Sequence, residues 1–244
     1  MDVHVEVFGK SKNPPIIFVH GAGGSSATWM LQLRGLSDDF YVIAIDLNGH
    51  GKTRDRMESD TTISYLTDID TIVKTYHHPI LTGHSMGGML TQLYALANPE
   101  KLLGIILVST GAKLRVMPTI FDLLKNDFDG YIDTVSKFMF HKGASLELIE
   151  ASKFEMRKCK PDIISRDFAA CNQFDIMDSV SKIRLPTLVI VGKDDIMTPT
   201  KYSEYLHKQI PLSTLHIIEN AGHAVMLEQP GIFNRAIKEW TRTL

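Results

Sequence analysis

The sequence predicts an α/β domain in which a mostly parallel central sheet is covered by helices on both faces and interrupted once by a helical cap. Three observations predict it. Runs rich in Ile, Val and Leu recur along the chain, and several are continuous rather than alternating, the pattern of strands buried on both faces. Segments with an apolar stripe at helical spacing separate these runs, as the crossovers between parallel strands require. Between about Ala112 and Lys182 the strand-like runs stop and the pattern is helical throughout.

Taken in order, the N-terminal MDVHVEVFGK alternates like a strand, with no basic region or apolar stretch of a secretory signal. PIIFVH (15–20), FYVIAID (40–46), HPILTGH (78–84) and LLGIILVS (102–109) follow as strands, with helices expected near 61–76 and 86–97. Pro118 and Pro161 punctuate the helical stretch 112–182, which reads as a cap inserted into a core domain formed by 1–111 and 183–244. PTLVIVG (186–192) and STLHIIE (213–219) complete the sheet, covered by helices near 199–209 and 228–242.

Composition narrows the function classes. The 26 basic and 28 acidic residues of the 244 leave a net charge of −2, so no broad basic field draws the chain to nucleic acid or to an anionic membrane. No apolar run reaches membrane-spanning length. Cys159 and Cys171 are too few for a disulfide framework and lack the spacing of a zinc or redox motif, which points to a reducing, cytoplasmic setting.

The chemistry is concentrated at ILTGHSMGGML (80–90). An apolar strand ends near Thr82 and a helix starts near Met86, so the chain turns sharply at Ser85; Gly83 and Gly87 allow the close backbone approach that such a turn needs. This is the G-x-S-x-G nucleophile elbow, which exposes a serine hydroxyl above the sheet, over a helix N-terminus that favours developing negative charge. A serine hydroxyl is a weak nucleophile until a base takes its proton and a third group orients that base. His223, in ENAGHAVMLEQP between the last strand and the last helix, stands over the carboxyl ends of the strands where Ser85 also lies, and Gly222 lets the loop turn. The other histidines have structural readings. His84 points away from the site, and His77 and His78 sit at the entrance of their strand. His20 and His50 hold backbone in His-Gly loops, while His4, His141, His207 and His216 are surface or satisfied residues. For the acid, KDDIMTP follows PTLVIVG, and adjacent Asp194 and Asp195 cannot both face the site. Spacing from Gly192 and to Pro199 favours Asp195, with Asp194 a solvated or turn-stabilising neighbour. STGAK (109–113), at the preceding strand exit, carries no carboxylate.

HGAGG (20–24), DLNGHGKT (46–53), GHSMGG (83–88), GKDDIMTP (192–199) and AGH (221–223), in that order, resemble the α/β-hydrolase fold family, and within it the lidded serine esterases and lipase-like hydrolases. The resemblance spans nearly the whole chain except the cap. It implies the same catalytic set, Ser85, Asp195 and His223, and adds an oxyanion hole from the backbone N–H groups of Ala22 and Met86. Asn48 and Thr53 depart from the proline and serine frequent in relatives, at a structural turn. The implied reaction is cleavage of a small-molecule carboxylic ester of an apolar, small-to-medium acyl group through an acyl-enzyme, needing neither metal nor organic cofactor. Cap methionines (Met117, Met139, Met156, Met177) and phenylalanines (Phe121, Phe128, Phe138, Phe140, Phe154, Phe168, Phe174) are candidates for an apolar lining, with Trp29, Met89, Met197 and Met226 beside the pocket. The same residues would also serve carbon–carbon bond hydrolysis, acyl transfer or perhydrolysis, and a non-catalytic ligand receptor could keep the fold.

Overall fold

The structure is a computed structural model and describes residues 3–244; Met1 and Asp2, which open the strand-like N-terminal segment, lie outside the described residues. The strands are β1 (Val5–Phe8), β2 (Pro15–Val19), β3 (Tyr41–Ile45), β4 (Ile80–His84), β5 (Gly104–Val108), β6 (Thr187–Gly192) and β7 (Ser213–Ile218). They form one seven-stranded sheet in the order β1-β3-β2-β4-β5-β6-β7. Only β1 runs antiparallel to its neighbour.

Period-two alternation explains why the inner strands read as continuous apolar runs. In β2, Ile16 and Phe18 belong to the core on one face, and Ile17 and Val19 to the core on the other. The same split divides Val42 and Ala44 from Ile43 and Ile45 in β3, and Ile106 and Val108 from Ile105 and Leu107 in β5. Each of these Ile, Val, Leu and Phe side chains contributes about 1.5–3 kcal/mol by burial, which holds every strand to one register.

The first face packs against α1 (Met30–Leu36), through Leu33 and Leu36, and α10 (Pro230–Thr241), through Phe233, Ile237 and Trp240. The other face packs against α2 (Thr61–Val73), α3 (Met86–Ala97) and α8 (Thr200–Gln209), which bring Tyr65 and Ile69, Met89 and Leu90, and Leu206. Asp60 caps α2 by accepting from the Ile63 N–H at 2.9 Å. The helix stops at Val73 rather than continuing to 76, and α1 and the single turn α9 (Val225–Glu228) were not among the sequence expectations.

Between β5 and β6 the chain forms α4 (Pro118–Asn126), α5 (Phe128–Met139), α6 (Leu146–Met156) and α7 (Pro161–Gln173). Pro118 and Pro161 open α4 and α7 at the first position, where a missing N–H costs no intrahelical bond. Asp127 and Ser145 cap α5 and α6. This insertion has its own apolar cluster, built on Ile120, Leu124, Tyr131, Ile132, Val135, Ile163 and Ile164. Because β4, β6 and β7 are parallel, the loops that follow them emerge on one edge of the sheet, and these loops carry Ser85, Asp195 and His223.

Candidate active site

Ser85 links β4 directly to α3 and holds φ 53°, ψ −112°, a left-handed backbone that a non-glycine residue adopts only under constraint. The constraint is visible on both sides. The Ser85 N–H donates to the Val108 carbonyl of β5 at 2.9 Å, and the Ser85 carbonyl accepts from the Met89 N–H and the Thr110 hydroxyl. A Cβ on Gly83 would collide with the Gly87 carbonyl, and one on Gly87 with the Val19 and His20 carbonyls of β2 and its exit. Glycine is therefore required at both positions by close approach rather than by dihedral freedom.

His223 and Asp195 come together across the loops after β7 and β6. The His223 Nδ1 lies 2.9 Å from the Asp195 Oδ2, both side chains almost fully buried. The remaining capacity of the carboxylate is taken by the N–H groups of Met197 and Thr198 on Oδ1, at 2.9 and 2.8 Å, and by the Thr198 hydroxyl on Oδ2 at 2.7 Å. Burial opposes ionisation of Asp195, but the His223 ring and the Thr198 donors outweigh it and hold the carboxyl below its usual range. Asp194 faces the other way, its half-exposed side chain placing Oδ2 3.0 Å from the His141 Nδ1 of the insertion.

His84 does point away from Ser85, yet it is not idle: its Nε2 donates to the His223 carbonyl at 3.0 Å, and the two rings pack with centroids 4.7 Å apart. Burial, reinforced by the neighbouring His223 ring, pushes the His84 pKa down to about 3, so it supports the loop as a neutral group. Gly222, expected to let the loop turn, is required by close approach. Its φ is not in the left-handed region; a Cβ there would press on the Met139 carbonyl and the His141 N–H at 2.8 Å. The insertion passes that close because the Ala224 N–H donates to the Met139 carbonyl, and Glu228 bridges the N–H groups of Gly222 and His141, both at 2.7 Å.

Ser85, His223 and Ala22 line one cavity of about 520 Å³ between the sheet edge and the insertion. Met86 is the first residue of α3, where N–H groups lack an intrahelical partner, while its side chain is buried in the core. Met139, Met156 and Phe168 of the insertion line the cavity with Met197 and Met226, as do Met30, Tyr131 and Leu148. The other candidate linings go elsewhere. Met117, Phe154 and Met177 are exposed, and Phe138 borders on exposed; Trp29 and Met89 are core, on opposite faces of the sheet; Phe121, Phe128, Phe140 and Phe174 do not reach the cavity. The carboxylates at its wall are engaged: Glu6 with Lys52 at 2.7 Å, Glu155 with Lys158 at 2.6 Å, and Asp46 with the N–H groups of Ser26 and Lys52. Among the described residues, no group of His, Cys, Asp or Glu is placed to hold a metal ion, and no helix is long and apolar enough to cross a membrane.

Asn48 and Thr53, the two departures at the turn, are both bonded there. Asn48 donates to the Ser64 hydroxyl and accepts from the Arg56 N–H, and the Thr53 hydroxyl donates to the Asp46 carbonyl.

Comparison with known proteins agrees with this architecture. A family model described as Serine aminopeptidase, S33 matches residues 11–230. The chain is similar to a putative carbamate hydrolase, RutD, of Agrobacterium fabrum, at 27% identity over 258 residues covering 98% of this chain and 97% of that protein. It is also similar to the 3-oxoadipate enol-lactonase 2 of Acinetobacter baylyi, at 26% identity covering 95% and 90% of the two chains. Among solved structures, a thermophilic esterase superposes with a TM-score of 0.86 at 31% identity, covering 99% of this chain and 98% of that one.

Proposed function

The chain belongs to the serine aminopeptidase S33 family of α/β hydrolases, and from that premise we propose that it is a serine esterase acting on carboxylic esters of apolar, small-to-medium acyl groups. The observation that carries the reading is His223, 2.9 Å from the buried Asp195 and lining the same cavity as the strained Ser85.

In this reading the His223 Nε2 takes the Ser85 proton as the hydroxyl attacks the ester carbonyl. Asp195 keeps the imidazole proton on Nδ1 and stabilises the imidazolium without itself being protonated. The N–H groups of Ala22 and Met86 receive the oxyanion, the alcohol leaves with the proton from His223, and water activated by the same ring releases the acid. Residues 112–182 act as the cap that shapes the acyl chamber over a core formed by 1–111 and 183–244. Free, buried Cys159 and Cys171 fit a cytoplasmic setting.

An ester is favoured over a peptide with a free amine because every carboxylate at the cavity wall already has a partner, leaving none to receive an ammonium group. The methionine-rich wall supplies an adaptable apolar surface for an acyl chain. The test combines a fluorophosphonate probe with an ester chain-length series. Wild type should be labelled stoichiometrically at Ser85 and hydrolyse short and medium chains, and Ser85→Ala should lose turnover by several orders of magnitude. Ester hydrolysis unchanged in Ser85→Ala would refute the reading.

A further inference from the structure

A second buried charge cluster lies behind the oxyanion loop, and the mechanism above does not use it. Asp167 on α7 of the cap is fully buried, as are His50 and, almost entirely, Tyr65. The Asp167 Oδ2 accepts from the Gly23 N–H at 2.8 Å and from the His50 Nε2 at 2.9 Å, and its Oδ1 accepts from the Tyr65 hydroxyl at 2.5 Å. The other His50 nitrogen, Nδ1, lies 3.1 Å from the Asn48 carbonyl. Both ring nitrogens therefore face acceptors, which requires the ring to be protonated and makes the pair an ion pair.

Gly23 is the residue after Ala22. In a trans peptide the C=O and N–H point in opposite directions, so whatever holds the Gly21 carbonyl also aims the Ala22 N–H. That carbonyl accepts from the His20 Nδ1 at 2.8 Å and from the Gly24 N–H at 3.1 Å, anchors supplied by the core. On the other side of Ala22 the anchor comes from the cap: Gly23, at φ +66°, is held by the Asp167 carboxylate and lies against Ile164 of the same helix.

We propose that Asp167 is a positioning residue that makes the oxyanion hole depend on the seated cap, clamping Ala22 from the Gly23 side while His50 and Tyr65 hold the carboxylate in place. The proposal rests on the serine-esterase reading for its kinetic consequence. Ala22 would donate to the substrate oxyanion, and Asp167 would act on it only through Gly23.

The experiment compares three variants on the background His50→Gln: His50→Gln alone, in which the Asp167 carboxylate keeps its Gly23 and Tyr65 donors but loses its cation, and Asp167→Ala/His50→Gln and Asp167→Asn/His50→Gln, in which neither charge remains. The alanine form loses the acceptor for Gly23. Its kcat should fall about 10–100-fold with KM within about twofold, as expected for a displaced transition-state donor. The asparagine form keeps an oxygen for Gly23 and should recover most of that loss. A trifluoromethyl ketone serves as the transition-state probe: Ser85 Oγ adds to its carbonyl carbon, the serine proton passes to His223, and the carbonyl oxygen becomes the oxyanion. It should bind the alanine form more weakly by the same factor, while the product carboxylate inhibits all three alike. If the alanine form does not fold, Asp167→Val/His50→Leu, which replaces the ion pair by apolar groups, carries the same expectation. A folded alanine or valine form with the kcat of its background, or an asparagine form as impaired as the alanine one, overturns the proposal. Failure of the esterase reading is separate, since it would appear as wild type that neither hydrolyses esters nor labels at Ser85. The strap is then judged by exchange of the Gly23 amide hydrogen, fast only in the alanine form if Asp167 holds it; equal rates in all three variants overturn it.

Discussion

Asp195→Asn replaces one carboxylate oxygen by an amide nitrogen, and the surroundings decide which. Two backbone donors, Met197 N–H and Thr198 N–H, converge on Oδ1 at 2.9 and 2.8 Å, so an NH2 group there would lose two hydrogen bonds and set donor against donor. The amide oxygen therefore stays at that position and the NH2 turns to where Oδ2 met the His223 Nδ1. The Thr198 hydroxyl, 2.7 Å from that site, can rotate to accept. His223 must then accept at Nδ1 and carry its proton on Nε2, the nitrogen needed to take the Ser85 proton. A base held in the wrong tautomer costs about 10⁴-fold in kcat, about 5.5 kcal/mol of barrier, with the fold intact. The assay is p-nitrophenyl butyrate hydrolysis by the purified variant, alongside its melting temperature. Turnover above about a tenth of wild type in a folded Asp195→Asn protein would mean that His223 keeps its Nδ1 proton without Asp195, and the tautomer reasoning would be wrong.

Asp194→Asn removes only the half-exposed partner of His141 and should change kcat less than about threefold, measured in the same assay. Gly87→Ala drives a methyl group into the Val19 and His20 carbonyls, where backbone cannot yield, and should cost about 3 kcal/mol or more by urea midpoint. The buried histidines set a stability profile of definite shape. Burial disfavours the charged His50 ring, but the Asp167 charge and hydrogen bond outweigh it and raise its pKa to about 10, so its stabilisation is complete below about 6.5 and is lost as pH rises from there towards 10. Burial lowers His20 to about 4 and His84 to about 3, so the unfolded chain takes up their protons first and stability falls as pH drops below about 6.5. The melting temperature should decline on both sides of near-neutral pH, and His50→Gln should flatten the alkaline side; an unchanged alkaline slope would remove the ion pair from the account.

The sheet was legible because buried parallel strands leave little choice of residue: β2 and β5 place every second side chain in a different core, so the sequence has to be apolar throughout. The elbow was legible because Gly83 and Gly87 have no room for a Cβ. α1 was not, since it starts without a side-chain cap and carries Gly35 in its interior. The lining of the cavity was only partly legible, because Met and Phe mark apolar contact without marking which side of a helix meets a cavity and which meets core or solvent. Asp167 left a signal that composition hides. It sits among Ile163, Ile164, Ala170 and Cys171, one buried stripe at helical spacing, and a carboxylate in such a stripe needs buried partners. Those partners are 102 to 144 residues away in sequence, so the spacing of motifs could not supply them.

Under the proposed mechanism, the positions of these bonds would give the inserted helices a part in chemistry as well as in substrate choice. On one side Asp167 holds Gly23, next to the amide that would receive the oxyanion. On the other, the Met139 carbonyl accepts from Ala224, and Glu228 joins Gly222 to His141, so the residues flanking His223 are tied to the end of α5. A loop carrying a catalytic group otherwise belongs to the least stable parts of a fold, where local opening costs little. Because both loops are fastened to the same four-helix layer, in the proposed mechanism whatever seats that layer, such as an acyl chain packed against Met139, Met156 and Phe168, would also narrow the motions of base and oxyanion donor. Binding energy from the non-reacting part of the substrate then reaches the reacting centre through defined bonds, and truncating the acyl chain should lower kcat as well as raise KM. Chain-length series on wild type and on Asp167→Ala/His50→Gln separate the two contributions: with the strap cut, shortening the chain should still raise KM but lower kcat less than it does in wild type.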